Sequence, residues 1–230
     1  MYEAYPGDPS SNQGYWGPPS STVDWCEPNF LHSPYIAEFF NVLSSLAILG
    51  VALYGVLQGS RNGWQRKTLL PFALMAVVGL GSALFHATLQ RSAQGLDELP
   101  MVYAATSLLY LGLEPDVRPR RPWLAPTLLV YCALTTAAYV LSDSFFPFFL
   151  STYIALVISQ FYLGVRLAAD AQASQPYATR LLYASAAIYL AGFSALWSVG
   201  CLAGPLARGG APLSARTDLL PPPHPTPQAP

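Results

Sequence analysis

Long apolar runs separated by short polar connectors dominate the chain from residue 36 onward. Each run is close to the length that an α-helix needs to cross about 30 Å of hydrocarbon. The third run is the least apolar, because it opens on Asp97 and Glu98. The pattern predicts an all-α fold, a polytopic transmembrane helical bundle. Its six predicted spans are residues 36–57, 69–89, 97–113, 123–141, 146–167 and 180–202.

Segments of a different character flank the apolar region. Residues 1–35 are polar and turn-rich and include an acidic stretch. Residues 203–230 are rich in Pro, Gly and Ala and lack a periodic apolar face, a composition typical of disorder. We therefore expect one transmembrane domain, residues 36–202, between an N-terminal segment and a disordered tail.

Composition favours a membrane protein and excludes a nucleic-acid-binding one. The 230 residues are 53% hydrophobic and 10% charged, whereas a soluble domain has about 25% charged residues. The formal net charge is −1, and the sequence has no basic stripe that would meet phosphates. The bilayer is therefore the predicted partner. The sequence identifies no protein partner.

Lys and Arg are distributed unevenly between the two sets of connectors. Because cytoplasmic loops carry the excess of positive charge, the poorer side is predicted to be non-cytoplasmic, and the N-terminus lies on that side. The richer side has eight of the 11 basic residues: Arg61, Arg66, Lys67, Arg118, Arg120, Arg121, Arg166 and Arg180. The poorer side has Arg91, Arg208 and Arg216.

Polar residues interrupt the apolar pattern in GSALFHATLQRSAQGLDELPM, residues 81–101. Ser82 and His86 are four residues apart and therefore share one face of the predicted second helix. The short connector would bring Asp97 to the same end of the bundle. Ionisable residues inside spans are expensive to bury and mark functional sites. Each residue also has a structural alternative: a helix–helix hydrogen bond for His86, close packing for Ser82, and charge at a helix N-terminus for Asp97.

A second polar group lies in the N-terminal stretch STVDWCEPNFLHSPYIAEFFN. Asp24, Glu27 and Asn29 are closely spaced, as are the oxygen ligands of a loop-bound calcium ion, although the EF-hand pattern is absent. A simple solvated acidic turn is the alternative. Glu38, at the mouth of the first span, favours a bound partner, because a carboxylate there needs one.

Four stretches, in order, resemble the alkaline ceramidases, most of all the alkaline phytoceramidase type. They are GYWGPPSSTVDWCEPNF, YIAEFFNVLSSL, GSALFHATL and LDELPM. The resemblance covers residues 14–197. It implies a seven-helix membrane amidase of the endoplasmic reticulum or Golgi that hydrolyses ceramide or phytoceramide to a sphingoid base and a fatty acid.

The resemblance also implies zinc and calcium as cofactors. Zinc, which lowers the pKa of bound water, would be held by His86. Asp97 would then move the water proton, and Ser82 would stabilise the oxyanion. The tryptophan among the calcium ligands would contribute its carbonyl. The residues that match the family's calcium ligands are Asp24, Trp25, Glu27, Asn29 and Glu38.

The resemblance ends near Trp197. In the family, a seventh helix provides two further zinc ligands in an H-x-x-x-H motif, and this chain has no such pair. Its histidines are His32, His86 and His224. We therefore expect an incomplete zinc site, as an alternative transcript, an intron read-through or a faulty gene model would produce. Two alternatives remain for Cys26 and Cys201: a disulfide, which an oxidising lumen would permit, or two free thiols.

Three functions are compatible with these residues. The first is a ceramide amidohydrolase, and the second is a catalytically inactive, truncated ceramidase-like membrane protein. The third is a receptor-like relative, because the seven-helix progestin and adiponectin receptors have a similar arrangement of Ser, His, Asp and an H-x-x-x-H motif. The D-W-C-E-x-N stretch counts against the receptor and favours the ceramidase side.

Overall fold

Long α-helices make up most of the structure, a computed structural model that describes residues 14–23, 25, 27, 29–142, 146–171, 175–177, 179–188 and 191. Within these ranges the only β-type pairings are two isolated bridges, so the predicted all-α fold is confirmed. Residues 179–188 are helical. The five long helices are α1 (Phe39–Arg61), α2 (Arg66–Thr88), α3 (Arg91–Leu113), α4 (Leu124–Leu141) and α5 (Phe146–Ala171).

Four of these helices, α1, α2, α4 and α5, are long and apolar enough to cross a membrane, which confirms a multi-pass membrane protein. The remaining helix, α3, has the same 23-residue length as α1 and α2 but is more polar. It contacts α2, α4 and α5, and its Gln94, Asp97 and Glu98 are buried. The most polar helix is thus surrounded by neighbours that remove its polar side chains from lipid.

The third helix begins earlier than the apolar pattern predicts. The predicted span starts at Asp97, whereas α3 starts at Arg91. Asp97 therefore lies in the second turn, and the interpretation of this residue as helix N-terminal charge is wrong. The polar residues before Asp97 are helical because they bond to the N-terminal segment, as described below.

Several predictions fall on residues outside the described ranges. The sixth predicted span, 180–202, is described only over 180–188 and at residue 191. The predicted tail, residues 203–230, lies outside entirely. The same holds for Cys26 and Cys201, so their predicted bridge remains a prediction.

Two glycines let α2 approach its neighbours closely. A Cβ on Gly79 would lie 2.6 Å from a backbone nitrogen of α1, and a Cβ on Gly81 would overlap the Leu96 carbonyl oxygen of α3. Small residues allow such close packing of membrane helices. Ser82 follows Gly81, and Asp97 follows Leu96. The crossing of α2 and α3 therefore brings these two polar residues to the same place.

The N-terminal segment, which in the structure is described from residue 14 and extends to Glu38, covers the end of α2. The backbone amide of Ser21 donates to the Leu89 carbonyl at 3.0 Å, and that of Glu38 donates to the His86 carbonyl at 2.9 Å. The last carbonyls of an α-helix have no partner within the helix. The N-terminal segment supplies these partners and thereby holds itself against the site.

Two apolar clusters support this arrangement. One lies beneath the N-terminal segment and is formed by Ala37, Phe85, Leu89 and Ala93, with Trp25 and Phe30 packed against it. The other joins α3, α4 and α5 and is formed by Val102, Ala105, Tyr139, Phe149 and Leu156. The first cluster places the N-terminal segment over α2 and α3, and the second fixes α3 at the centre of the bundle.

Candidate functional site

Five buried polar side chains meet where α1, α2 and α3 converge beneath the N-terminal segment. We name them the polar cluster. Glu38 is 0% exposed, and no member is more than 9% exposed. Charged groups are rarely buried in this way unless they have a function. The members of the polar cluster are Glu38, Ser45, Ser82, His86 and Asp97.

Glu38 holds the ring of His86. Its Oε2 contacts the Nδ1 of His86 and accepts a hydrogen bond from the Asn41 side chain at 3.3 Å. Its Oε1 accepts the backbone N–H of Trp25 at 3.0 Å. A carboxylate on one ring nitrogen fixes the orientation of an imidazole and directs the other nitrogen, here Nε2, toward a ligand.

The carboxyl of Asp97 lies near the hydroxyl of Ser82 and within electrostatic range of His86. The structure thus brings these three residues near one another, while the roles assigned to them stay predictions. Ser45, which the sequence analysis missed, lies with its Oγ 3.1 Å from that of Ser82. It also donates to the Asn41 carbonyl at 2.7 Å. The only signal for it was its place in a pair of hydroxyl residues, Ser44 and Ser45, within a largely apolar run.

Glu27 caps the start of α1. Its Oε1 accepts the backbone N–H of Phe40 at 2.8 Å, and its Oε2 accepts that of Asn41 at 3.1 Å. A carboxylate at a helix N-terminus satisfies unpaired donors and is favoured by the helix dipole. This structural role does not test the predicted calcium role of Glu27.

The structure does not test the predicted zinc and calcium sites. No group of three or more His, Cys, Asp or Glu side chains that could hold a metal ion occurs among the described residues. A catalytic zinc site usually has about three protein ligands, so the described side chains around His86 do not complete one. Asp24 and His224 lie outside the described ranges. Zinc and calcium binding therefore remain predictions.

Gln94 connects the N-terminal segment to the helical turn that carries Asp97. It is 0% exposed. Its Oε1 accepts the backbone N–H of Thr22 at 3.0 Å. Its Nε2 donates to the Thr22 hydroxyl at 2.9 Å and to Glu98 Oε1 at 2.7 Å. The sequence analysis missed this residue, for which the four-residue spacing to Glu98 was the available signal.

Arg91 fastens the first turn of α3 to the end of α4. Its guanidinium lies 4.2 Å above the ring of Tyr139 and hydrogen-bonds to the hydroxyl of that residue. A stacked cation of this kind is attracted by the negative face of the ring. The contact closes the polar region on the side of α4.

Comparisons with known proteins identify relatives of this chain. A family model described as Ceramidase matches residues 17–203. Alkaline ceramidase 3 of Mus musculus is 32% identical over 189 residues, which are 81% of this chain and 69% of that protein. Alkaline ceramidase YPC1 of Saccharomyces cerevisiae is 45% identical over 95 residues, 41% of this chain and 30% of the yeast protein. Alkaline ceramidase of Arabidopsis thaliana is 32% identical over 134 residues, 58% of this chain and 51% of the plant protein.

Proposed function

Because the chain belongs to the ceramidase family, we propose that it is a ceramide amidohydrolase. It would cleave the amide of ceramide or phytoceramide to a sphingoid base and a free fatty acid. The observation that carries the proposal is the buried grouping of Asp97, Ser82 and His86, in which Glu38 holds the ring of His86. A general base, a hydrogen-bond donor and an oriented imidazole together suit hydrolysis of an amide.

The side chains present would divide the reaction between them. Asp97 would take a proton from the attacking water, whose oxygen bonds to the amide carbon. Ser82 would donate a hydrogen bond to the oxyanion as it develops. Asp97 would then return the proton to the amide nitrogen, and the C–N bond would break. The products are the fatty acid and the amine of the sphingoid base.

Zinc is part of the proposal through His86. A bound zinc ion would supply a water of lowered pKa and would polarise the amide carbonyl. The described residues offer fewer ligands than such a site usually has, and no step above depends on the ion. An inactive, truncated ceramidase-like protein is therefore the alternative that the assay below must exclude.

Calcium is proposed for the N-terminal segment, where it would modulate the reaction. Support comes from the oxygen-bearing side chains that lie there: the carboxylates of Glu27 and Glu38 and the amide of Asn29. Calcium takes six to eight oxygen ligands, backbone carbonyls included, and Asp24 and Trp25 would contribute. Glu38 would then link the calcium ligands to His86. Asp24→Ala is expected to weaken any calcium dependence.

The proposed compartment is the endoplasmic reticulum or Golgi membrane, with the N-terminus non-cytoplasmic. The polar cluster lies near one end of α1, α2 and α3, so it would lie in the non-cytoplasmic half of the bilayer. A two-tailed lipid could then reach Asp97 from the side without leaving the membrane.

A product assay tests the proposal. The purified 230-residue chain in mild detergent is incubated with ceramide, and the released sphingoid base is measured by mass spectrometry. Asp97→Asn keeps the size of the side chain but removes the base, so the rate should fall by roughly 10²-fold or more. Asp116→Asn, which alters a half-exposed carboxylate far along the chain from the polar cluster, should match the unaltered chain.

Two results would contradict the proposal in different ways. Unchanged turnover by Asp97→Asn would show that Asp97 is not the general base. If the unaltered chain releases no sphingoid base, the inactive alternative is correct for this product, whatever the arrangement of its polar cluster.

A further inference from the structure

The end of the helices opposite the polar cluster, here named the basic end, carries an excess of positive charge. It comprises the ends of α1 and α3, the start of α2 and the connectors 62–65 and 114–123. Its basic residues are Arg61, Arg66, Lys67, Arg118, Arg120 and Arg121, and its acidic residues are Glu114 and Asp116. The other end is acidic, with Glu27, Glu38, Asp97 and Glu98 against Arg91.

Both acidic residues of the basic end are occupied within their own connector. Glu114 is 0% exposed. It accepts the backbone N–H of Arg120 at 2.6 Å and lies 3.6 Å from the guanidinium of Arg121. Asp116 pairs with the guanidinium of Arg120 at 2.6 Å. The acidic groups therefore neutralise two arginines and are not available to the remaining cations.

Lys67 closes the connector onto the end of α3. Its ammonium group donates to the carbonyl oxygens of Glu114 at 2.7 Å and Pro115 at 3.0 Å. Arg66 and Arg118 are exposed, and the described residues include no acidic partner for either. Ordered backbone with exposed, unneutralised guanidinium groups is suited to an anionic headgroup, because arginine matches the geometry of phosphate.

An apolar groove lies between α2 and α3, next to this charge in the chain. Its volume is about 160 Å³. It begins one residue after Lys67 and reaches to within three residues of Glu114. The residues that line it are Thr68, Pro71, Phe72, Met75, Leu108 and Leu111. The groove therefore runs from the headgroup level into the depth of hydrocarbon.

Two tryptophans mark the level of the membrane surface at this end. Trp64 is 44% exposed and Trp123 is 59% exposed, and each lies in a connector between helices. Tryptophan concentrates at the boundary between hydrocarbon and headgroups. The exposed arginines thus lie at headgroup depth, with the groove beneath them.

We propose that the basic end binds an anionic phospholipid of the predicted cytoplasmic leaflet. The phosphate contacts Arg66 and Arg118, and one acyl chain lies in the groove between α2 and α3. Charge selects the lipid class, because basic pockets between helices attract anionic headgroups. The opposite end of the helices is acidic and would repel an anionic headgroup, so the site is assigned to the leaflet at the basic end. The site is separate from the polar cluster and does not depend on the proposed hydrolysis.

Retention of lipid by the full chain tests the proposal. The chain is exchanged into micelles that contain equal amounts of dioleoyl phosphatidylglycerol and dioleoyl phosphatidylcholine, and bound lipid is counted by native mass spectrometry. We expect selective retention of phosphatidylglycerol. The double variant Arg66→Gln, Arg118→Gln should weaken its binding by roughly fivefold for each charge removed. Arg180→Gln, a matched exposed arginine outside the groove, should have no effect.

The acyl chain is tested by filling the groove from either wall. Met75→Trp in α2 and Leu108→Trp in α3 should each abolish selective retention. Val77→Trp, a matched change at a 47% exposed position of α2 outside the groove, should preserve it. Equal retention of both lipids by the unaltered chain would overturn the proposal. Selective retention of phosphatidylglycerol by both groove-filling variants would also overturn it.

Discussion

At the scale of single residues, the hydrogen bonds of Gln94 require an amide side chain. It accepts from the backbone of Thr22 in a partly buried hydrogen bond and donates to the carboxylate of Glu98 in a buried one. A carboxylate could not donate, and an alkyl side chain could do neither. Since Glu98 follows Asp97, this one side chain sets the distance between the N-terminal segment and the candidate catalytic turn.

Gln94→Leu should therefore destabilise the protein by about 1–3 kcal/mol for each buried group left without a partner. The measurement is thermal unfolding of the purified chain in detergent. Gln90→Leu is the matched control, because Gln90 also contacts the N-terminal segment, at Pro18 and Ser20, but at exposed positions. Water replaces those partners, so the loss should be smaller. Equal losses in the two variants would contradict the role assigned to Gln94.

Local spacing predicted part of this chemistry and left the rest out. Ser82 and His86 share a helical face because they are four residues apart, and this could be derived from the sequence. The contact of Glu38 with His86 joins residues 48 apart in the chain, and that of Thr22 with Gln94 joins residues 72 apart. Such pairs depend on how the helices pack, which periodicity does not specify.

At the scale of elements, the crossing of α2 and α3 controls the geometry of the polar cluster. The two helices touch backbone to backbone at Gly81. Any side chain there would push α3 away and separate Asp97 from Ser82. The apolar pattern predicted both helices but not this contact, because a glycine in an apolar run is equally consistent with a lipid-facing position.

Gly81→Ala should lower the unfolding free energy by about 1–3 kcal/mol, the usual cost of overpacking, and should also reduce ceramide hydrolysis. Gly50→Ala in α1 is the control, since a Cβ there meets nothing within 4 Å. Alanine favours a helix over glycine by up to about 1 kcal/mol, so this variant should be at least as stable as the unaltered chain. A Gly81→Ala protein with unchanged stability and turnover would contradict the close crossing.

The boundaries of the helices show where apolar pattern is a sufficient guide. The fourth helix, predicted at 123–141, is observed at Leu124–Leu141, because its sequence is apolar up to both ends. The third begins six residues before its predicted start. Its first turns are polar, and their side chains bond to other parts of the protein rather than to water or lipid. Hydropathy alone does not separate these two situations.

At the scale of the whole molecule, the two ends of the helical bundle differ in charge, and this difference predicts its direction in the membrane. The polar cluster and the N-terminal segment lie at one end, and the basic end lies at the other. The positive-inside rule then predicts that the N-terminus is non-cytoplasmic. This direction places the candidate active site and the proposed phospholipid site in opposite leaflets.

Glycosylation in microsomes tests this direction. An Asn-x-Ser acceptor added before Met1 should be glycosylated, because that end would face the lumen. The same acceptor inserted after Val117, in the connector at the basic end, should remain unmodified. The reverse pattern would contradict the orientation and would move the candidate active site to the cytoplasmic half of the bilayer.

The central proposal is that His86 binds zinc at the candidate hydrolytic site, with the further ligands supplied from outside the described residues, and zinc content tests it most directly. The chain is purified in mild detergent and analysed for metal together with His86→Ala and with His32→Ala, a matched histidine exposed in the N-terminal segment. The account predicts about one zinc per chain, as a single catalytic site requires, for the unaltered protein and for His32→Ala, and none for His86→Ala. Zinc that is absent from the unaltered chain, or that persists in His86→Ala, would contradict it.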